Sequence, residues 1–104
     1  MHQFGVYRNR NAATRSAYPL LLNVQSDLIS ETGTRVVVPL APVGRDGREV
    51  PPLMPHVSVN GKAYVLLMPL IAAAELADLG PEEADLSTER AVVLAALDFL
   101  VSGF

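Results

Sequence analysis

LSTERAVVLAALDFLVSGF, residues 86–104, is the stretch around which the rest of the chain is organised. Ser87 suits the N-cap of a helix, because its hydroxyl can accept a backbone N–H of the first turn, and Glu89 places negative charge where the helix dipole favours it. Within residues 91–101 the only polar side chain is Asp98, so the helix lacks the wide polar face of a surface helix. The stretch therefore predicts a C-terminal helix that is buried on more than one side.

Because apolar residues surround most of this helix, the sequence also predicts that the protein self-associates. A chain of 104 residues seldom surrounds a terminal helix completely, so part of the apolar surface is expected to meet a second copy of the protein. Gly103 predicts the end of the helix, because glycine readily takes the left-handed conformation of a C-terminal stop. Phe104 follows as an aromatic residue that we expect to be packed. These features predict a homodimer built around the last helix.

Composition predicts a single globular domain that spans residues 1–104. Half of the residues are hydrophobic and 18% are charged, which is typical of a compact globule. The absence of cysteine excludes disulfides and thiolate metal sites and fits a reducing compartment. The N-terminus lacks the basic and apolar pattern of a secretory signal, and the longest uncharged apolar run, residues 63–74, is too short to span a membrane. We expect a cytoplasmic protein without membrane association.

The net charge of −3 is unevenly spread, with +3 over residues 1–70 and −6 over residues 71–104. A strongly basic surface is not expected, and direct nucleic-acid binding is therefore not expected either. Positive charge gathers in residues 8–17, RNRNAATRSA, which hold Arg8, Arg10 and Arg15 with no acidic residue between them. This segment has two interpretations: a solvated connection, or a docking site for an acidic segment of a partner.

Turn residues and hydrophobic alternation predict five or six strands ahead of the helix. A type I′ hairpin is the clearest of them, because Asn60-Gly61 supplies the two residues of positive φ that the turn requires. Its two-residue turn sets the register and places Val57 opposite Tyr64. The other expected strands lie at residues 3–8, 18–24, 34–40 and 70–74. Gly80-Pro81 is expected to break the chain before acidic residues lead into the helix.

Three consecutive valines, residues 36–38, put apolar groups on both faces of the third strand. One face is expected to line a core, and the other needs cover. With one helix after the strands, these elements predict a mainly β fold, a small antiparallel barrel or curled sheet with a C-terminal helix.

Side chains that could carry catalysis or hold a metal are scarce. There are two histidines: His2 is expected at a frayed terminus, and His56 opens a hairpin strand. The pair Ser26-Asp27 is interpreted as a turn in which the side chains bond nearby backbone N–H groups. The acidic residues at positions 82, 83, 85 and 89 are interpreted as complementing the helix dipole. We expect a binding protein that is not an enzyme and has neither cofactor nor metal.

Several segments, in order along most of the chain, resemble the CcdB family of toxins. They are MHQFGVY at residues 1–7, VQSDLI at 24–29, GTRVVVPLA at 33–41, Pro55 before the hairpin, EEADLS at 82–87 and the terminal Gly103-Phe104. The resemblance implies an SH3-like barrel of the CcdB/PemK type and a homodimer. It further implies a toxin-antitoxin system of the kind used in plasmid maintenance. For this protein the resemblance would mean inhibition of a topoisomerase by poisoning the A subunit of DNA gyrase, and neutralisation by a disordered CcdA-like antitoxin.

The resemblance also implies where gyrase would bind. Family contacts come from the turn after the second strand and from the end of the last helix. They correspond here to Leu28, Ile29, Asp98, Val101, Ser102, Gly103 and Phe104. Ser102 stands where the best-known members have a tryptophan that stacks on gyrase, and such an anchor is worth about 2 kcal/mol or more. Arg8, Arg10 and Arg15 are the candidate antitoxin contacts.

Two other functions are compatible with these residues. One is an endoribonuclease like the MazF and Kid toxins, which share the fold and would use Arg with Asp or His side chains on the barrel face. The other is a non-toxic CcdB-like protein that binds only antitoxin, because Ser102 replaces the tryptophan.

Overall fold

The computed structural model describes residues 1–44 and 52–103, and in them a curled antiparallel sheet packs against one α-helix. The strands are β1 (Gly5–Asn9), β2 (Leu20–Asn23), β3 (Thr34–Pro42), β4 (His56–Val59), β5 (Lys62–Leu66), β6 (Ala72–Glu75) and β7 (Leu79–Asp85). Helix α1 covers Arg90–Ser102, and short 3-10 turns lie at Met68–Leu70, Leu76–Asp78 and Ser87–Glu89. The predicted mainly β class with a C-terminal helix is confirmed.

The strands follow the order β4-β5-β3-β2-β1-β7, and β6 pairs with β3 beside this path. Strand β3 pairs with two strands along the same edge: its first residues pair with β6 and its last residues pair with β5. The side-chain amide of Asn60, at the tip of the β4–β5 hairpin, donates a hydrogen bond to the Glu83 carbonyl of β7 at 3.0 Å. The hairpin tip therefore touches β7, but among the described residues β4 and β7 form no ladder, so the sheet curls into a half-barrel.

The hairpin forms as the sequence predicts. Asn60 and Gly61 have φ values of 52° and 83°, the positive values that a type I′ turn requires. Val57 lies opposite Tyr64 in the expected register. The local turn chemistry alone specifies this pairing.

Two of the three apolar clusters in the described residues lie on opposite faces of the sheet. The main core lies between the sheet and α1, and its fully buried side chains include Val38, Leu40 and Val93. On the other face, Val37 packs with Tyr7, Leu21 and Leu79. The cover that the valine strand was expected to need comes from strands of the same chain. Val37 therefore needs no partner chain for its burial, whereas Val36 is 37% exposed.

Strand β7 contradicts the expected break at Gly80-Pro81. It pairs antiparallel with β1 and brings the number of strands in the described residues to seven. Pro81 is tolerated because β7 is the last strand of the sheet order, where a missing N–H need not interrupt a ladder. A Cβ at Gly80 would lie 3.0 Å from the Arg8 carbonyl, so glycine fits the close approach of β1. The strand contains the consecutive acidic residues Glu82 and Glu83, so it lacks the alternation of apolar and polar residues by which strands are predicted.

The helix begins later than expected. Ser87 does not cap it, because the Ser87 N–H and hydroxyl both bond the Asp85 carboxylate, at 2.8 and 2.5 Å. A 3-10 turn intervenes, and α1 starts at Arg90. Gly103 ends the helix as predicted, with φ of 83° and its N–H bonded to the Phe99 carbonyl at 2.9 Å.

A single chain buries α1 on one side only, as expected for a helix whose remaining apolar surface was predicted to meet a second copy. Its buried residues are Val93 and Ala96, whereas Val92 is 39% and Val101 78% exposed. A half-barrel this small covers only one strip of the helix. Among the described residues no helix has the length and apolar character needed to cross a membrane.

Candidate functional site

Residues 26–29, which we name the apolar turn, place two large apolar side chains in solvent. Leu28 is 90% exposed and Ile29 is 53% exposed. The turn is ordered by its own polar groups, because the Ser26 carbonyl accepts the Ile29 N–H at 3.0 Å and the Ser26 hydroxyl accepts the Leu28 N–H at 3.1 Å. Ser26 thus has its predicted turn role. The turn presents an apolar surface that the described core does not use.

The end of α1 carries the other candidate gyrase contacts. Val101 is strongly exposed, and Asp98, Ser102 and Gly103 are exposed as well. The Ser102 hydroxyl donates a hydrogen bond to the Asp98 carbonyl at 2.6 Å. Phe104, also predicted as a contact, lies outside the described residues. The helix end therefore presents a small polar side chain at position 102.

A cleft of about 580 Å³ gathers part of the predicted basic site. Arg8 and Arg15 line it together with Lys62 of β5, whose ammonium lies 5.5 Å from the centre of the Tyr64 ring. Lys62 was missed because it is far from the arginine segment in sequence, although the hairpin register could have placed it at this end of the sheet. The structure thus brings two of the three arginines together with a lysine.

Of the three arginines, Arg8 has an acidic partner and Arg10 lies outside the cleft. Arg8 forms an ion pair with Glu83, to which its Nε donates at 3.0 Å. Arg10 is not among the residues that line the cleft, and its backbone N–H bonds the Asp78 carbonyl at 2.9 Å. The acidic partner of Arg8 lies in β7, which is not among the strands that the sequence predicts.

The acidic residues before the helix have other partners than the helix dipole. Glu82 accepts hydrogen bonds from the His2 ring at 2.8 Å and from the Tyr7 hydroxyl at 3.1 Å. Asp85 bonds Ser87, and this hydrogen bonding lowers the pKa of its carboxyl group. Since residues 82, 83 and 85 lie in β7, the dipole interpretation is wrong for them.

His2 is held in place, contrary to the expected frayed terminus. Its backbone N–H bonds the Tyr7 hydroxyl at 3.0 Å, and its ring bonds the Gln3 carbonyl. That ring hydrogen bond raises the pKa of His2, partial burial opposes the shift, and the Glu82 carboxylate supports it. Burial raises the pKa of Tyr7. The N-terminus is therefore fastened to β7.

No group of three or more metal-ligating side chains occurs within residues 1–44 and 52–103. The arrangement that the structure offers consists of binding surfaces: an apolar turn, an exposed helix end and a basic cleft. In a comparison with protein families, the model described as CcdB protein matches residues 3–103.

Proposed function

This chain belongs to the CcdB family, the toxins of toxin-antitoxin systems, and from that premise we propose that it binds and poisons the A subunit of DNA gyrase. It acts in the cytoplasm as a homodimer without enzymatic activity, and it stabilises a conformation of the complex in which gyrase has cleaved DNA. A CcdA-like antitoxin neutralises it.

The observation that carries this proposal is the exposure of Leu28 in an ordered turn. Leu28 is 90% exposed and lies beside the exposed Ile29, so its side chain is not stabilised by packing in the described core. Its burial against a partner would contribute about 1.5 to 3 kcal/mol. The apolar turn is thus suited to recognise an apolar surface on gyrase, with the helix end as the second contact.

The direct test incubates the purified protein with gyrase, ATP and supercoiled plasmid, and separately with RNA. Linear DNA that accumulates only when gyrase is present is the expected result. RNA cleavage without trapped DNA would instead favour an endoribonuclease of the MazF and Kid type. Antitoxin binding without either effect would identify a non-toxic member of the family.

Dimerisation rests on the apolar side chains that α1 leaves exposed outside the gyrase contacts, Val92 and Leu100. We expect sedimentation at micromolar concentration to show a species of twice 11.1 kDa. A two-fold axis near the helix end would present two copies of the gyrase contacts to a symmetric target. A sample that sediments only at 11.1 kDa would contradict this arrangement.

The basic cleft is the proposed docking site for an acidic, disordered segment of the antitoxin. Arg8, Arg15 and Lys62 supply positive charge, and the Tyr64 ring adds an apolar surface. Steering by such charges acts on the association rate and weakens as salt screens it. The paired Glu83 reduces the field of Arg8, so Arg15 and Lys62 contribute most of the attraction.

Replacing Arg8, Arg10 and Arg15 together by Gln is expected to slow association with a CcdA-like peptide several-fold at low ionic strength. Stopped-flow mixing at increasing salt measures this effect, which should fade towards 1 M. Arg10→Gln alone serves as the control for a charge outside the cleft, and we expect it to slow association less than Arg15→Gln, which removes a charge from the cleft. An unchanged rate in the triple variant would leave the segment as a solvated connection.

A further inference from the structure

We propose that Gln25 is a positioning residue that holds the apolar turn in the shape in which it meets gyrase. The inference rests on the proposed function, and it adds a residue that does not itself touch the partner. Gln25 directly precedes the turn, and its side chain bonds both the far end of the turn and the strand that follows.

One amide group makes three connections. The Gln25 Nε2 donates to the Ile29 carbonyl and, at 3.2 Å, to the Thr32 hydroxyl. The Gln25 Oε1 accepts the Val36 backbone N–H at 3.0 Å. Only a side chain with both donors and an acceptor makes all three bonds. Gln25 thus ties the turn to the start of β3.

The base of this connection is fixed in the buried part of the molecule. The Gln25 backbone N–H bonds the Asn23 Oδ1 at 3.1 Å, and Asn23 is only 1% exposed. The Asn23 amide in turn donates to the His2 carbonyl at 2.9 Å. Gln25 therefore starts from a rigid position, which lets its side chain direct the turn.

Two further side chains hold the segment between β2 and β3, one in the turn and one after it. The Asp27 carboxylate accepts the Gln3 backbone N–H at 2.8 Å. The Arg35 guanidinium donates to the carbonyls of Thr32 and Thr34, at 2.9 and 2.8 Å. The segment between Gln25 and β3 is thus fixed by polar bonds, although its side chains are largely exposed.

Because the segment is held by polar bonds and is largely exposed, a role of Gln25 in positioning the turn can be distinguished from a role in stability. The turn buries little apolar area, so ordering it contributes little to folding. A turn that is already ordered loses less conformational freedom when a partner binds, and that raises affinity. The hydrogen bonds of Gln25 consequently act mainly on recognition.

The test compares wild type with Gln25→Ala by titration against the isolated gyrase A subunit. We expect affinity to fall roughly five- to tenfold, with urea unfolding and association with the acidic antitoxin peptide unchanged. Ser87→Ala is the control, because it removes an equally exposed hydrogen bond, to Asp85, in another part of the molecule. Parallel loss of stability and of both binding activities in Gln25→Ala would show a merely structural role and overturn the proposal.

A double-mutant cycle shows whether Gln25 acts through the turn. In a protein that already carries Leu28→Ala and Ile29→Ala, Gln25→Ala should cause no further loss of gyrase affinity, whereas an undiminished loss would overturn the proposal. A wild type that does not bind gyrase A would overturn the proposed function and this role with it. A wild type that binds gyrase A no better than Gln25→Ala would overturn the role of Gln25 alone.

Discussion

Leu28→Ser is expected to weaken binding to the gyrase A subunit by roughly ten- to hundredfold. The Leu28 side chain is 90% exposed, so in the free protein its removal costs almost no packing. In the complex it would leave an apolar contact of gyrase without a partner. Calorimetric titration measures the affinity, and urea unfolding should show a change in stability within about 0.5 kcal/mol.

Leu70→Ser is the matched control for this prediction. Leu70 is also an exposed leucine, at 45%, but it lies in the 3-10 turn after β5. The same change of side chain there should leave gyrase affinity within about twofold of wild type. If both variants bound equally well, the apolar turn would not be a gyrase contact.

Local chemistry accounts for the elements that the sequence predicted well. The Asn60-Gly61 turn specifies its hairpin without help from the rest of the chain, and Gly103 ends α1 with the expected positive φ. Both signals depend on the backbone freedom of one or two residues. Their structural consequence is therefore readable from sequence.

Elements that depend on long-range pairing were predicted less well. Strand β7 carries little hydrophobic alternation, and its partners in β1 lie about 75 residues earlier, as in the bond from Arg8 to Glu83. The sequence of α1 likewise shows that the helix is apolar nearly all round, but it does not show which side of the helix packs against the half-barrel. In both cases the outcome is decided by what packs against the segment.

The candidate site shows the same division. Charge along the chain identified Arg8 and Arg15, but Lys62 enters the cleft only through the fold. Leu28 and Ile29 were singled out by the family resemblance, since two adjacent apolar residues in a polar segment are not distinctive. The hydrogen bonds of Gln25 could not be predicted, because they join Ile29 and Thr32 of the loop to Val36 of β3, and no sequence pattern indicates such side-chain bonds.

Ser102→Trp is expected to strengthen gyrase inhibition by a factor of roughly five to over a hundred, since a buried aromatic anchor contributes about 1 to 3 kcal/mol. Ser102 is the last residue of α1 and is exposed, so a large side chain fits there without disturbing the core. The change removes the hydroxyl bond to the Asp98 carbonyl, which water can replace at an exposed helix end. Supercoiling assays over a range of toxin concentrations measure the gain.

Two further variants show whether the gain comes from position. Ala95→Trp adds the same aromatic area to the exposed face of the same helix, two turns earlier, and should give no gain. Deletion of residues 102–104 should abolish inhibition while the fold remains, because the buried residues of α1, Val93 and Ala96, precede the cut. A wild type already at full potency, or equal gains at positions 95 and 102, would mean that gyrase contacts this protein elsewhere than at the helix end.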